Sequence, residues 1–318
     1  MKTYLLRRVL MTVVLLYVVA TMLFLFIHLI PGDPAEIILG SSEHHQPTRE
    51  QIETIRIRLG LDRPLHEQYV SYFSNLLRGD MGVSFLTGRQ VSVDLRLRFG
   101  RTMQLVLPAI VISSVLGIVL GIMAAQSRGT WLDAALSGVS VLGHCVPVFV
   151  VGPVIVLVIS IRLGWLPSSG YIEFGTEGFR SLRYMILPVI TLATGRIATT
   201  MRMTRMAMVE QLVMDYVRTA RAKGLSERLV VYRHALKNAL LPVVTVIGLQ
   251  LGVTFTGGLI VESVFNWPGL SSMLIRALTN RDYPTIQGTV LLSSTIFVLI
   301  NLLTDLAYAY LDPRLHYQ

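Results

Sequence analysis

Six stretches of this chain run for 18 to 28 residues with at most one formal charge each. They are Val9–Ile30, Gln104–Ala125, Ala134–Ile161, Tyr184–Met201, Asn238–Val261 and Tyr283–Thr304, and only the fourth carries a charge, at Arg196. About 20 apolar residues coiled as a helix cross the hydrocarbon core of a bilayer. A helix also pairs its backbone N–H and C=O groups within its own segment, as that medium requires. Each stretch is therefore predicted to be a spanning helix. The composition agrees: 53% of the 318 residues are hydrophobic and 15% charged, against roughly 25% charged in a soluble domain. That balance excludes a disordered chain. It also argues against a soluble enzyme, whose core cannot hide so much apolar surface. With Cys145 the single cysteine, an intrachain disulfide and a cysteine-built zinc or iron–sulfur site are excluded.

The net charge is +9, with 25 Arg and three Lys (Lys2, Lys223, Lys237). A basic chain suits nucleic acid or membrane. Here the basic residues lie between apolar runs, which points to membrane lipid and not to nucleic acid. Lys and Arg in short loops set orientation. The side holding the N-terminus, Arg128, the segment 202–237 and Arg314 carries thirteen of them, and the other side five. The richer side is predicted to be cytoplasmic, with both termini on it. Val9–Ile30 follows Lys2, Arg7 and Arg8 as a signal peptide would. However, its 22 residues are long for that role, and Leu29-Ile-Pro-Gly-Asp33 lacks a small-x-small cleavage pattern. It is predicted to stay as the first span.

Residues 31–103 are too patterned for a bare loop. Thr48-x-x-Gln51 after Pro47 has the form of a capping box, Ile52, Ile55 and Leu59 share one helical face, and Gly60 stops the helix. A second helix is expected from Asp62 as N-cap, near Pro64, through Leu65, Tyr69, Phe73 and Leu76 to Gly79. Periodicity alone does not say whether these amphipathic helices cover the membrane surface, a partner or the chain's own spans.

No catalytic constellation is present: there is no HExxH, GxSxG or P-loop, so any ATP is bound elsewhere. Glu43, His44 and His45 read as a solvated cluster, because adjacent side chains do not converge on one helical face. His144 and Cys145, in the third run, read as a packed or pathway-facing histidine beside an inert buried thiol. Ion-coupled carriers bury ionisable groups near the midplane, and here Arg196 is the one charge well inside a run. Gly117-x-x-x-Gly121 and Gly248-x-x-x-Gly252 permit close helix approach, within the chain or at a subunit interface. Pro108, Pro147, Pro153, Pro188 and Pro242 permit kinks.

The most informative stretch is Asp215–Pro242, which reads as helix, sharp turn and helix. Gly224 can adopt the left-handed conformation that ends the first helix. Ser226 can N-cap the second, with Glu227 in its first turn. A strip of small residues (Thr219, Ala220, Ala222) lies among basic ones, as suits insertion into a partner's cleft.

Here the chain resembles the membrane permeases of dipeptide/oligopeptide/nickel-type ABC importers. Leu29–Ala35, Leu59–Pro64, Gly79–Phe85, Asp215–Gly224 with His234-Ala235-Leu236, Glu262–Gly269, Arg281–Pro284 and Asp312–Arg314 match that family's signatures in order along the whole chain. Asp215–Gly224 is similar to the family's "EAA" coupling loop, with Arg218, Thr219 and Ala220 in the Glu, Ala and Ala places and Gly224 four residues on. Peptide-type members share the missing Glu and the Lys237 that stands in place of Pro.

The resemblance implies an all-α integral membrane protein with six transmembrane helices. One is a peripheral N-terminal helix and five form a type I importer core. It also implies a first segment over 1–97 and a permease domain over 98–310, in a bacterial inner membrane. The implied partners are a second homologous permease, two ATP-binding cassette subunits that hold ATP and Mg²⁺, and an extracytoplasmic substrate-binding protein. The chain itself would be non-catalytic, with no cofactor or metal. Coupling would fall to Arg218, Thr219, Ala220, Arg221, Gly224, Ser226, His234, Ala235 and Leu236, and the substrate would be a peptide or a similar small solute. The competing reading of the sequence is a stand-alone ion-coupled carrier or channel.

Overall fold

The computed structural model describes residues 2–29 and 48–311. The readings at Pro31–Ala35, Glu43–His45 and Asp312–Arg314 lie outside these residues, as do the side chains of Gln51, Ile55 and Leu59. Among the described residues the regular elements are helices, with one isolated antiparallel bridge between Val83 and Gln90. The longer ones are α1 (Lys2–Leu29), α2 (Arg49–Leu59), α3 (Leu65–Leu77), α4 (Val91–Gln126), α5 (Trp131–Cys145), α6 (Val148–Ile155, continued by a π-helical stretch over Val156–Arg162), α7 (Phe179–Leu212), α8 (Asp215–Ala222), α9 (Leu236–Val264), α10 (Leu270–Thr279) and α11 (Tyr283–Leu311). Among the described residues five helical stretches are long and apolar enough to cross a membrane, or six if one bent pair counts as a single span.

That bent pair is the third expected run. Instead of one straight helix over Ala134–Ile161, the chain forms α5 and then, after a bend of 104°, the helical stretch Val148–Arg162 that α6 begins. Pro147 is the cause. It has no N–H to give to a helix, and its ring pushes the preceding residue out of the helical region. Val146 accordingly sits at φ −78°, ψ 119°. Cys145, expected to be buried, is exposed at this break. Pro108, Pro153, Pro188 and Pro242 lie inside α4, α6, α7 and α9 without breaking them.

The chain divides into two compact units. One is built on Arg7–Arg101 and Pro268–Ile296. In it α3 turns its aromatic face to α1: Phe24 meets Tyr69 edge-on at 5.2 Å and Tyr17 meets Phe73 at 5.2 Å. Tyr69 Oη donates to Tyr17 Oη at 2.8 Å. The apolar face of α3 thus covers the chain's own first span. Burial of the Tyr72 phenol in the same cluster pushes its pKa up to about 12. Asp62 is not the N-cap of α3. Pro64 precedes the helix and its carbonyl accepts from Glu67 and Gln68 N–H, since Pro tolerates a helix start and disfavours helix just before it. In the same unit the buried Asp282 carboxylate accepts from Ser84, Phe85 N–H and Thr285.

The other unit is built mainly on Thr102–Trp267 and takes in α11 from Phe297. Both GxxxG patterns pack within the chain, which decides between their two readings. A Cβ on Gly117 would stand 2.6 Å from Thr200 Cβ, and one on Gly121 2.5 Å from Thr204 Cβ, so α4 and α7 touch through bare backbone. Gly248 faces Thr304 and Gly252 faces Phe297 in the same way. Arg205 on α7 clasps Asp133 on α5 through two bonds of 2.6 and 2.7 Å. A core of Leu105, Leu187, Leu192, Phe265 and Trp267 completes the unit.

Candidate functional site at the 213–237 elbow

The local sequence dictates an elbow. Helix α8 has Asp215 in its first turn and ends where Gly224 adopts φ +77°. The Gly224 N–H bonds Arg221 O at 2.9 Å and the Leu225 N–H bonds Ala220 O at 3.4 Å. That pair of bonds is a Schellman motif, which satisfies carbonyls left open at a helix end. Ser226 then sits extended (φ −60°, ψ 143°) at the N-cap position, and Val230 N–H bonds its carbonyl. Its side chain makes no capping bond. Helical turns at Glu227–Leu229 widen into a π-helical stretch, Val230–Ala235, which runs on into α9. Extra residues of this kind inside a helix are frequent at functional sites, and a second such stretch, Val156–Arg162, lies away from the elbow.

One ion pair staples the bend. Arg221 donates to Glu227 through Nε at 3.0 Å and through a terminal nitrogen at 2.6 Å, and reaches Leu212 O at 3.3 Å. The hydrogen bond to Glu227 holds the Arg221 guanidinium above its ordinary pKa. Arg218 is different: it stands 3.6 Å from Asp215, and both side chains are largely in the open.

The expected site residues separate into two faces. Ala220 and Ala235 are buried, with Val217, Val230 and Val231, against Ile122 and Ala125 of α4 and Ala207 and Met208 of α7. Leu236 packs on the same cluster, and His234 is half-buried. Ala220 therefore backs the elbow from beneath, contrary to its expected place in an outward strip. Its small side chain lets α8 lie close to the core. Arg218, Thr219, Arg221, Ala222, Gly224 and Ser226 are exposed. Sequence reasoning missed the apolar part of the exposed face. Leu225, Leu229 and Tyr232 are exposed at i, i+4 and i+7, as are Val213 and Met214. That spacing was visible as a helical stripe, but no core face was assigned to it.

This arrangement holds no nucleophile–base pair. It offers a cation, a hydroxyl and an apolar ridge on a braced turn, which suits docking. An all-helical membrane chain with such an elbow falls in the class of transport permeases. The fold resembles a solved chain titled as an amino acid ABC transporter with histidines, at a TM-score of 0.53 and 15% identity, over 69% of this chain and 94% of that one. The family described as binding-protein-dependent transport system inner membrane component matches residues 117–317, and its N-terminal counterpart matches residues 1–106. The chain belongs to this family. It is 41% identical over 318 residues, all of each chain, to the glutathione transport system permease protein GsiC of Escherichia coli strain K12. The GsiC of Shigella flexneri serotype 5b matches at the same identity and coverage. The chain is thus a multi-pass inner-membrane permease subunit of an ABC importer, and the stand-alone carrier is not favoured.

Proposed function

We propose that this chain is the non-catalytic, pathway-forming subunit of a complete importer. Residues 98–310 form its permease core beside a second homologous permease. Two ATPase subunits, which hold ATP and Mg²⁺, dock on the elbow, while this chain binds no cofactor. The elbow and both termini face the cytoplasm, in keeping with the excess of Lys and Arg there. A binding protein on the other side delivers the solute. By analogy with the relatives' printed name, the solute is glutathione or a small peptide of like kind.

The observation that carries the proposal is the elbow itself. It exposes Arg218, Thr219 and an apolar ridge, while Val217, Ala220 and Ala235 tie it to the spans. The test is affinity purification of the chain from its native membrane, followed by reconstitution. ATP-binding subunits and a second permease in fixed stoichiometry, with uptake of labelled glutathione or a tripeptide that needs ATP and the binding protein, are expected. Uptake by the isolated chain alone would overturn the proposal.

A further inference from the structure

Arg196 lies near the middle of α7, in a span that carries no acid near it in sequence. It lines a cavity of about 360 Å³ together with His144, Thr199 and Gln250, and no carboxylate among the described residues lines that cavity. One Arg196 terminal nitrogen donates to the Gln250 carbonyl at 3.2 Å. That carbonyl also accepts from the Thr254 hydroxyl, so it is already shared. Arg196 Nε is buried and has no hydrogen-bond partner among the described residues. Thr199 Oγ1, one turn further along α7, and His144 Nδ1 lie 3.3 Å apart, and the Gln250 amide reaches Thr200 at 3.4 Å.

A guanidinium keeps its charge in any protein environment. Placing one inside a membrane span is costly, and such residues mark substrate or ion routes. Arg196 has no acidic partner among the described residues, and the single shared Gln250 carbonyl leaves its buried Nε unanswered. The cavity wall supplies a second, independent observation. His144 and Val148 flank the Pro147 break between α5 and α6. Broken helices are tolerated at membrane depth where their freed backbone is buried in protein or lines a wet cavity, and discontinuous spans build the solute sites of other transporters.

We propose that this cavity is a way-station for an anionic group of the transported solute. Arg196 receives a carboxylate, and Gln250, Thr199 and His144 serve the neighbouring amide groups. The planar fork of arginine matches a carboxylate in two parallel bonds. The reading rests on the importer function proposed above, and it adds that the membrane subunit itself recognises the acid end of its cargo.

The test uses the reconstituted complete transporter, with labelled glutathione and labelled trialanine as probes. Arg196→Gln is expected to lower uptake about tenfold or more, the worth of a charge-assisted hydrogen bond, while Arg196→Lys, which keeps the charge without the fork, recovers only part of it. ATP hydrolysis stimulated by the binding protein should persist in both. Gln250→Glu provides a second route that removes no charge-bearing side chain. Its carboxylate would occupy Arg196 from within, so uptake should fall while assembly and thermal stability are kept. Normal uptake in assembled Arg196→Gln, or in Gln250→Glu should the first variant not assemble, overturns the site. Failure of the unaltered transporter to accumulate either probe overturns instead the substrate class proposed in the preceding subsection.

Discussion

Ser84 and Asp282, 198 residues apart in the chain, meet in a hydrogen bond of 2.6 Å from Oγ to Oδ2. Phe85 N–H binds the other carboxylate oxygen at 3.0 Å, and Thr285 adds a bond of 2.8 Å. Asp282 thereby pins the loop before α4 to the start of α11. Removing the carboxylate with Asp282→Ala strands three donors in a buried place and is expected to cost about 3 kcal/mol. Asp282→Asn keeps part of the network and should lose less. The apparent Tm of the purified complex in detergent decides, and equal Tm values for all three proteins would refute this.

The α4–α7 contact gives a second expectation. Gly121→Ala puts a methyl 2.5 Å from Thr204 Cβ and 2.7 Å from Met201 O. Overpacking of that kind costs about 1–3 kcal/mol. Gly138→Ala is the control, because a Cβ there meets nothing within 4 Å. Yield of monodisperse protein should fall for the first variant and hold for the second.

At Gly224 space is open, with nothing within 4 Å of an added Cβ, so any penalty comes from φ +77° alone. That backbone cost is about 1–2 kcal/mol for an ordinary residue, more for a β-branched one and less for Asn. Gly224→Val is expected to leave ATP hydrolysis running while uptake drops, and Gly224→Asn to stay close to the unaltered protein. Full uptake by the Val variant would remove the turn from the coupling route.

The two arginines of the elbow should behave differently. Arg218→Glu alters an exposed charge, so chain stability should shift by less than about 0.5 kcal/mol, while ATPase association weakens in a salt-dependent manner. Arg221→Glu sets two carboxylates against each other at residues 221 and 227 and should loosen the bend. Adding Glu227→Arg restores the pair and should restore uptake. Pull-down of the ATPases at two ionic strengths, with uptake measured beside it, separates the two effects.

Much of this was legible in the residues. Run length and charge placement are local signals, so five of the six spans and the Gly224 turn could be read directly. Gly60, Gly79 and Gly224 take positive φ as their positions suggested. What failed depended on direction or distance. Ala220 and Ala222 are two residues apart and look alike in sequence, but only the first faces Met208 and its neighbours. Pro147 and Pro188 are equally apolar surroundings' prolines, and only Pro147 breaks its helix. The pairing of Ser84 with Asp282, or of Arg205 with Asp133, is set by tertiary packing and leaves no trace in a single chain's periodicity.

The buried side of the elbow has a mechanical consequence. Val217, Ala220, Val230 and Ala235 interlock with Ile122 and Met208, and packed interiors yield little to compression. On the docking role proposed above, a push delivered at Leu225 or Arg218 would not be absorbed as local bending. It would arrive at the ends of α4 and α7 as displacement, which makes this corner of the molecule a handle and not a spring.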